Sequence, residues 1–302
     1  MNTTQRIQGI VPPLITPLLG PDRLDLAGLE RLVEHMLAGG VHGFFILGTT
    51  GEGPSHPYTL RREVIAAVVR LVAGRVPVIA VVTDSAAEES VALARFAADA
   101  GATAVAIALP YYFPIGQADV RAYFAAILPR LALPVLLYNI PSHVKLQIEL
   151  PTIKVLLDSP HVIGIKDSSG DLTYFSGVLA LAAARPDWSV LIGSEVHLAD
   201  AVMAGAAGAI PSGANVHPRL YVRQYEAAKS RDTATIERLN EEIKELHTKL
   251  YCVGSDSPGA IKGIKFALSH LGICSGVLAE PLHPCGEESR AVIRDYVEKI
   301  RR

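Results

Sequence analysis

Val162-Ile163-Gly164-Ile165-Lys166-Asp167-Ser168-Ser169-Gly170 puts an amine at the end of an apolar run. A short apolar run bounded by polar turn residues reads as a strand buried on both faces, as in parallel sheets. A lysine at the tip of such a strand is costly unless it is paired or used, because burial disfavours its ammonium form. Lowered basicity is also what a Schiff-base lysine needs to attack a carbonyl near neutral pH. The competing reading is a structural lysine paired with Asp167 or Glu52.

Working outward, the same strand signal recurs. Strands are expected at Ile10–Thr16, Gly43–Leu47, Val76–Val82, Ala104–Leu109, Val135–Tyr138, Val162–Lys166, Val190–Ile192 and Gly208–Pro211. Segments of helical period alternate with them, near Leu26–Ala38, Tyr58–Val72, Ala86–Ala100, Ala118–Leu131, Pro151–Leu157, Leu172–Ala184 and Val196–Ala204. Asp25 is an expected helix cap, and Ser85 with Glu88 has the spacing of a capping box. Gly39-Gly40, Gly74 and Gly101 are placed to stop helices. Eight such units in about 215 residues predict an α/β fold of the (β/α)8 TIM-barrel type. An open doubly wound sheet is the alternative, weakened by the lack of a G-x-G-x-x-G after the first strand. Beyond Val216 the strand signal ceases. Helices are expected near Pro218–Lys229, Thr233–Tyr251, Pro258–Leu271 and Glu287–Ile300, so residues 1–215 read as the barrel and 216–302 as a C-terminal helical region.

Bulk properties narrow the function class. The chain has 302 residues, half of them hydrophobic, and a net charge of −2, so nothing resembles a nucleic-acid footprint. Cys252, Cys274 and Cys285 are odd in number and lack CxxC spacing, which fits reduced thiols better than disulfides or zinc. No run reaches the ~18 apolar residues of a membrane span, and the first six residues hold no signal-like apolar stretch. A cytoplasmic enzyme without a metal or other cofactor is the expectation.

In a (β/α)8 barrel the active site lies at the C-terminal ends of the strands. The expected strand ends offer Thr49 and Thr50, then Tyr111 and Tyr112, then Tyr138-Asn139, then Lys166. Tyr138 and Lys166 end neighbouring strands and should lie within reach of each other. Gly164 shares a face with Lys166, and its missing side chain is expected to leave room beneath the amine. A neutral lysine can add to the ketone of a 2-oxo acid, and the imine then serves as an electron sink for bond making or breaking at C3. A tyrosine hydroxyl suits the accompanying proton transfers. Gly48-Thr49-Thr50-Gly51 offers hydroxyls and backbone N–H groups to a carboxylate.

Gly48-Thr49-Thr50-Gly51-Glu52, Pro110-Tyr111-Tyr112, Tyr138-Asn139-Ile140-Pro141 and Gly164-Ile165-Lys166-Asp167, in this order, resemble the Schiff-base aldolase family that includes dihydrodipicolinate synthase and N-acetylneuraminate lyase. Gly208-Ala209-Ile210 and Ala214-Asn215-Val216 resemble later segments of that family. The resemblance implies that Lys166 forms the imine and Tyr138 shuttles protons. It implies that Thr49 links Tyr138 to Tyr112 of a neighbouring subunit, within a homotetramer built as a dimer of dimers. Thr49 and Thr50, in the turn bounded by Gly48 and Gly51, would bind the pyruvyl carboxylate, and Ile210 would line the pocket through its backbone.

One segment departs from the family pattern. In the synthases Tyr-Asn-x-Pro usually continues to an arginine and then Thr-Gly, and the arginine pairs with the carboxylate of the aldehyde substrate. Here Ser142-His143-Val144-Lys145 follows, with His143 in the arginine position. An imidazole does not reproduce a bidentate guanidinium. The expected activity is therefore a pyruvate-dependent aldolase acting on a 2-oxo-3-deoxy (sugar) acid, with His143 as a substrate contact. Alternatives are 4-hydroxy-tetrahydrodipicolinate synthase, a 2-oxo-3-deoxy acid dehydratase, a metal-dependent enzyme on the same fold, and a non-catalytic 2-oxo acid binder.

Overall fold

The computed structural model describes residues 6–251 and 259–301. Residues 1–5, Cys252 and Pro258 lie outside them. Eight parallel strands form the barrel: β1 Gly9–Ile10, β2 Phe44–Ile46, β3 Val78–Val81, β4 Ala104–Ile107, β5 Val135–Asn139, β6 Val162–Asp167, β7 Ser189–Ile192 and β8 Gly208–Ala209. Each strand from β2 to β8 pairs with the next, and β8 pairs with β1. Pro13 bridges Phe45 to close the ring between β1 and β2. The chain is thus a (β/α)8 TIM barrel with C-terminal helices, as expected.

All eight expected strands are present, most of them shorter than their apolar runs. β1 is the extreme case. Pro12, Pro13 and Pro17 supply no backbone N–H, so the run after Ile10 cannot continue a regular ladder. Its remaining contacts are single bonds, such as Leu14 N–H to the Phe45 carbonyl at 2.9 Å. Most other strands are buried throughout, which explains why they read as continuous apolar runs.

The helices follow their expected ranges closely, with Leu26–Ala38 and Tyr58–Val72 unchanged. Asp25 caps its helix by accepting from Gly28 N–H at 2.9 Å. The Ser85–Glu88 capping box does not form. Ala86 is the N-cap of helix Ala87–Ala100 and makes no side-chain bond. Asp84 takes the local acceptor role instead, receiving Ala86 N–H at 3.0 Å while Arg61 pins its other oxygen at 3.1 Å. Glu88 turns outward to Arg130.

Helix Pro218–Ser230 packs on β1 and on helix Leu198–Met203. Helices Thr233–Tyr251, Gly259–His270 and Glu287–Arg301 then stack in series. Their apolar stripes, such as Ile236, Leu239, Ile243, Leu246 and Leu250, join the barrel interior in one continuous core.

Candidate active site

The register between β5 and β6 decides the site. Val135 lies opposite Val162, but Leu136 lies opposite Gly164, so Ile163 is an extra residue on β6. This bulge advances β6 by one position. Without it Tyr138 would face Ile165. With it Tyr138 faces Lys166, and Asn139 faces Asp167.

Lys166 is only 4% exposed. Its amine lies 4.2 Å from the centre of the Tyr138 ring and 4.3 Å from that of Phe45. The two rings meet edge to face at 5.4 Å and 87°, so the amine sits between them. Burial drives its basicity below the ordinary lysine range, and the neighbouring Tyr138 opposes this only in part.

Neither carboxylate of the structural reading reaches it. Asp167 accepts from Asn139 Nδ2 at 2.7 Å and from Ser169 N–H and Oγ–H at 3.1 and 2.9 Å. Asn139 in turn accepts Ile148 N–H, tying β5 and β6 together one residue beyond the Tyr138–Lys166 pair. Glu52 pairs with Lys265. Among the described residues Lys166 has no salt-bridge partner.

Gly164 plays a different part from the one expected. A Cβ there would lie 2.1 Å from the Ser189 carbonyl oxygen. The glycine admits the backbone of β7 at close range; it does not open space beneath the amine.

The turn after β2 is wound tightly. Leu47 and Glu52 both adopt positive φ, at 60° and 54°, around Gly48-Thr49-Thr50-Gly51. Glu52 N–H bonds the Thr49 carbonyl at 3.0 Å, and Gly53 N–H bonds the Gly48 carbonyl at 3.2 Å. Thr49 Oγ1 lies 3.3 Å from the Tyr138 hydroxyl, the contact that the family resemblance implies. The Thr50 hydroxyl is committed to Ser212 Oγ, 2.9 Å away in the turn after β8. Gly51 is drawn inward, its carbonyl accepting from Thr16 Oγ1 at 2.7 Å and from the His56 ring at 2.9 Å. Burial lowers His56 to about 4, so its ring is neutral near pH 7. Ile210 is buried, and its N–H is taken by the Ile192 carbonyl at 2.9 Å.

A cavity of about 320 Å³ opens at this end of the barrel. Thr49, Gly48, Tyr138, Tyr111 and His143 line it, among mostly apolar neighbours such as Leu47, Val81, Ile140 and Val144. Lys166 is not on its wall, but Tyr138, whose ring the amine touches, is. Thr50, Gly51 and Ile210 do not line it either. His143 sits on the short helix Pro141–Val144 with Nδ1 2.9 Å from Ser142 Oγ. Burial above all, and then the charge of Lys145, depress its pKa below the usual histidine value, so it is mainly neutral near pH 7. The Lys145 amine donates back to the Ser142 carbonyl at 3.2 Å, and Lys145 is not among the cavity-lining residues.

Tyr112 does not reach the cavity of its own chain. It is 75% exposed and packs edge to face on the equally exposed Phe113 at 5.1 Å. Sequence reasoning overlooked Thr83, Ser55, Ile261 and Leu282 on the cavity wall. It also overlooked Lys265, although that residue falls in the apolar stripe Ile261, Ile264, Leu268 of its helix, where a lone charge is a signal.

With the geometry in place, comparison with known proteins is decisive. The dihydrodipicolinate synthetase family model matches residues 6–300. The chain belongs to that family. A 4-hydroxy-tetrahydrodipicolinate synthase of Phenylobacterium zucineum is 34% identical over 286 residues, 95% of each chain. One from Methanopyrus kandleri is 33% identical over 298 residues, covering 98% of this chain and 97% of that one. Among solved structures, the dihydrodipicolinate synthase of Bacteroides thetaiotaomicron superposes with a TM-score of 0.94 at 44% identity, covering 97% of this chain and 98% of that one. A prophage protein of the family from E. coli K12, in complex with pyruvate, gives 0.91 at 27% identity, covering 98% and 99%. The family places this chain among lyases of the Schiff-base aldolase class. No helix of the described residues is long and apolar enough to cross a membrane.

Proposed function

We propose that this protein forms an imine between Lys166 and a pyruvyl substrate and makes or breaks a carbon–carbon bond at the pyruvyl C3. The observation that carries this is the buried Lys166 amine, of lowered basicity and without a carboxylate partner among the described residues, opposite Tyr138.

The neutral amine adds to the C2 ketone, and the carbinolamine loses water to give the imine. Loss of a C3 proton then gives an enamine, which adds to an aldehyde carbon; the reverse sequence cleaves the bond. The Tyr138 hydroxyl gives and takes the protons at the carbinolamine, with Thr49 Oγ1 as its hydrogen-bond partner. The Gly48–Gly51 turn receives the substrate carboxylate through backbone N–H groups and Thr49. Thr50 contributes by fastening the turn to Ser212. The exposed Tyr112–Phe113 pair fits a contact between copies of the chain, as the homotetrameric reading requires.

Two readings of the aldehyde follow. The relatives are named 4-hydroxy-tetrahydrodipicolinate synthases, which supports condensation with a carboxylate-bearing semialdehyde. The neutral His143 and the absence of arginine among the described residues of the cavity wall support cleavage of a 2-oxo-3-deoxy acid with a neutral aldehyde end. The relatives give the synthase reading the greater support. Steady-state rates of pyruvate consumption with aspartate semialdehyde, set against pyruvate release from a panel of 2-oxo-3-deoxy acids, separate them. Turnover of neither group would leave the pyruvyl chemistry without a substrate and overturn both.

A further inference from the structure

Glu52 and Lys265 form an ion pair in the interior, with side chains 1% and 0% exposed. The pair joins the end of the turn after β2 to helix Gly259–His270 in the C-terminal region. Each partner makes a second bond: Glu52 Oε1 accepts Ala279 N–H at 2.7 Å, and Lys265 Nζ donates to the Val277 carbonyl at 2.7 Å. A buried ion pair is a poor source of stability, since desolvating both charges offsets their attraction. Its position suggests another use.

Glu52 closes the turn that carries Thr49. It holds a left-handed conformation that non-glycine residues adopt at a cost, as does Leu47 at the other end of the turn. The next residue must be glycine, because a Cβ on Gly53 would lie 1.9 Å from the Leu47 carbonyl oxygen. Such a turn persists only if something holds it. Ile261, one helical turn before Lys265 and on the same face, lines the cavity together with Glu52 and with Leu282 of the same C-terminal region.

We propose that Lys265 is a positioning residue: through Glu52 it holds the Gly48–Gly51 turn in the shape that sets Thr49 against Tyr138 and receives a 2-oxo acid carboxylate. The C-terminal helices thereby govern affinity for the pyruvyl end of the substrate from outside the barrel. This rests on the imine reading above for its ligand.

Glu52→Gln with Lys265→Met removes both charges and keeps an acceptor for Ala279. Hydrogen exchange of the peptide spanning Gly48–Gly53 should then accelerate about tenfold, while peptides of β5 and β6 stay unchanged. The pyruvate concentration for half-maximal borohydride labelling of Lys166 should rise about tenfold. Unchanged exchange in Gly48–Gly53 overturns the proposal, as does an unchanged half-saturation in a folded double variant. If the unaltered protein is never labelled, the imine reading fails, and the exchange measurement alone decides whether the strut exists. Should the double variant not fold, Lys265→Arg serves: it keeps the charge but not the shape, and an unaltered half-saturation and Gly48–Gly53 exchange in it would equally overturn the proposal.

Discussion

Tyr138 faces Lys166 across β5 and β6 with its ring toward the amine, 4.2 Å away, and its hydroxyl toward Thr49, 3.3 Å away. One side chain thus divides two tasks. In the proposed mechanism the ring packs against the amine, and the hydroxyl, hydrogen-bonded to Thr49, moves protons.

Tyr138→Phe separates these tasks, since it keeps the ring and removes the hydroxyl. Turnover should fall about 10²-fold or more, while pyruvate and borohydride still label Lys166. A turnover number equal to that of the unaltered protein would remove Tyr138 from the proton relay.

Lys166→Met should abolish turnover and raise the melting temperature by a few degrees, at about 2–4 °C per kcal/mol. A buried amine without a carboxylate partner costs stability that an apolar side chain of similar length recovers. The pH dependence follows from the lowered pKa. Between that value and the ordinary lysine pKa near 10.4, the unfolded chain binds more protons at this site than the folded one. Stability therefore gains from Lys166 as pH rises through this window, and the penalty is largest below it. The variant should lack this component of the pH–stability profile, as differential calorimetry can show. A methionine variant less stable than its parent would mean that the amine has a compensating partner.

Asn139→Ala leaves the buried Asp167 carboxylate and Ile148 N–H each short of a partner. A loss of about 1–3 kcal/mol in urea unfolding is expected, with imine labelling at Lys166 slowed because the register of β5 against β6 is less firmly held. Unaltered labelling kinetics would confine the Asn139–Asp167 contact to stability.

The strands were readable because parallel strands covered on both faces are apolar along their whole length. The meeting of Lys166, Tyr138 and Thr49 was readable because strand ends share one face of a barrel. The bulge at Ile163 was not, since nothing in Val162-Ile163-Gly164 announces an unpaired residue, yet it sets Lys166 opposite Tyr138. The direction of the Thr50 hydroxyl depends on Ser212, 162 positions away. Gly164 was misread because alternation along a strand says nothing about how closely the neighbouring backbone approaches. The capping box was misread because Asp84, anchored by Arg61, outcompetes Ser85.

His143→Arg restores a permanent, bidentate cation to the cavity mouth. If the aldehyde carries a carboxylate, kcat/KM for aspartate semialdehyde should rise about tenfold or more, while pyruvate half-saturation stays near its original value. In the unaltered protein the same ratio should improve as pH falls through the depressed pKa of His143, where the ring becomes cationic. An arginine variant that gains nothing, together with a flat profile in this range, would favour an uncharged aldehyde.

Borohydride reduction in the presence of pyruvate, followed by peptide mass spectrometry, bears most directly on the chemistry assigned to Lys166. Imine formation there predicts a single reduced pyruvyl adduct on the peptide carrying Lys166, absent from the Lys166→Met variant. No adduct, or an adduct on any other lysine, would contradict it.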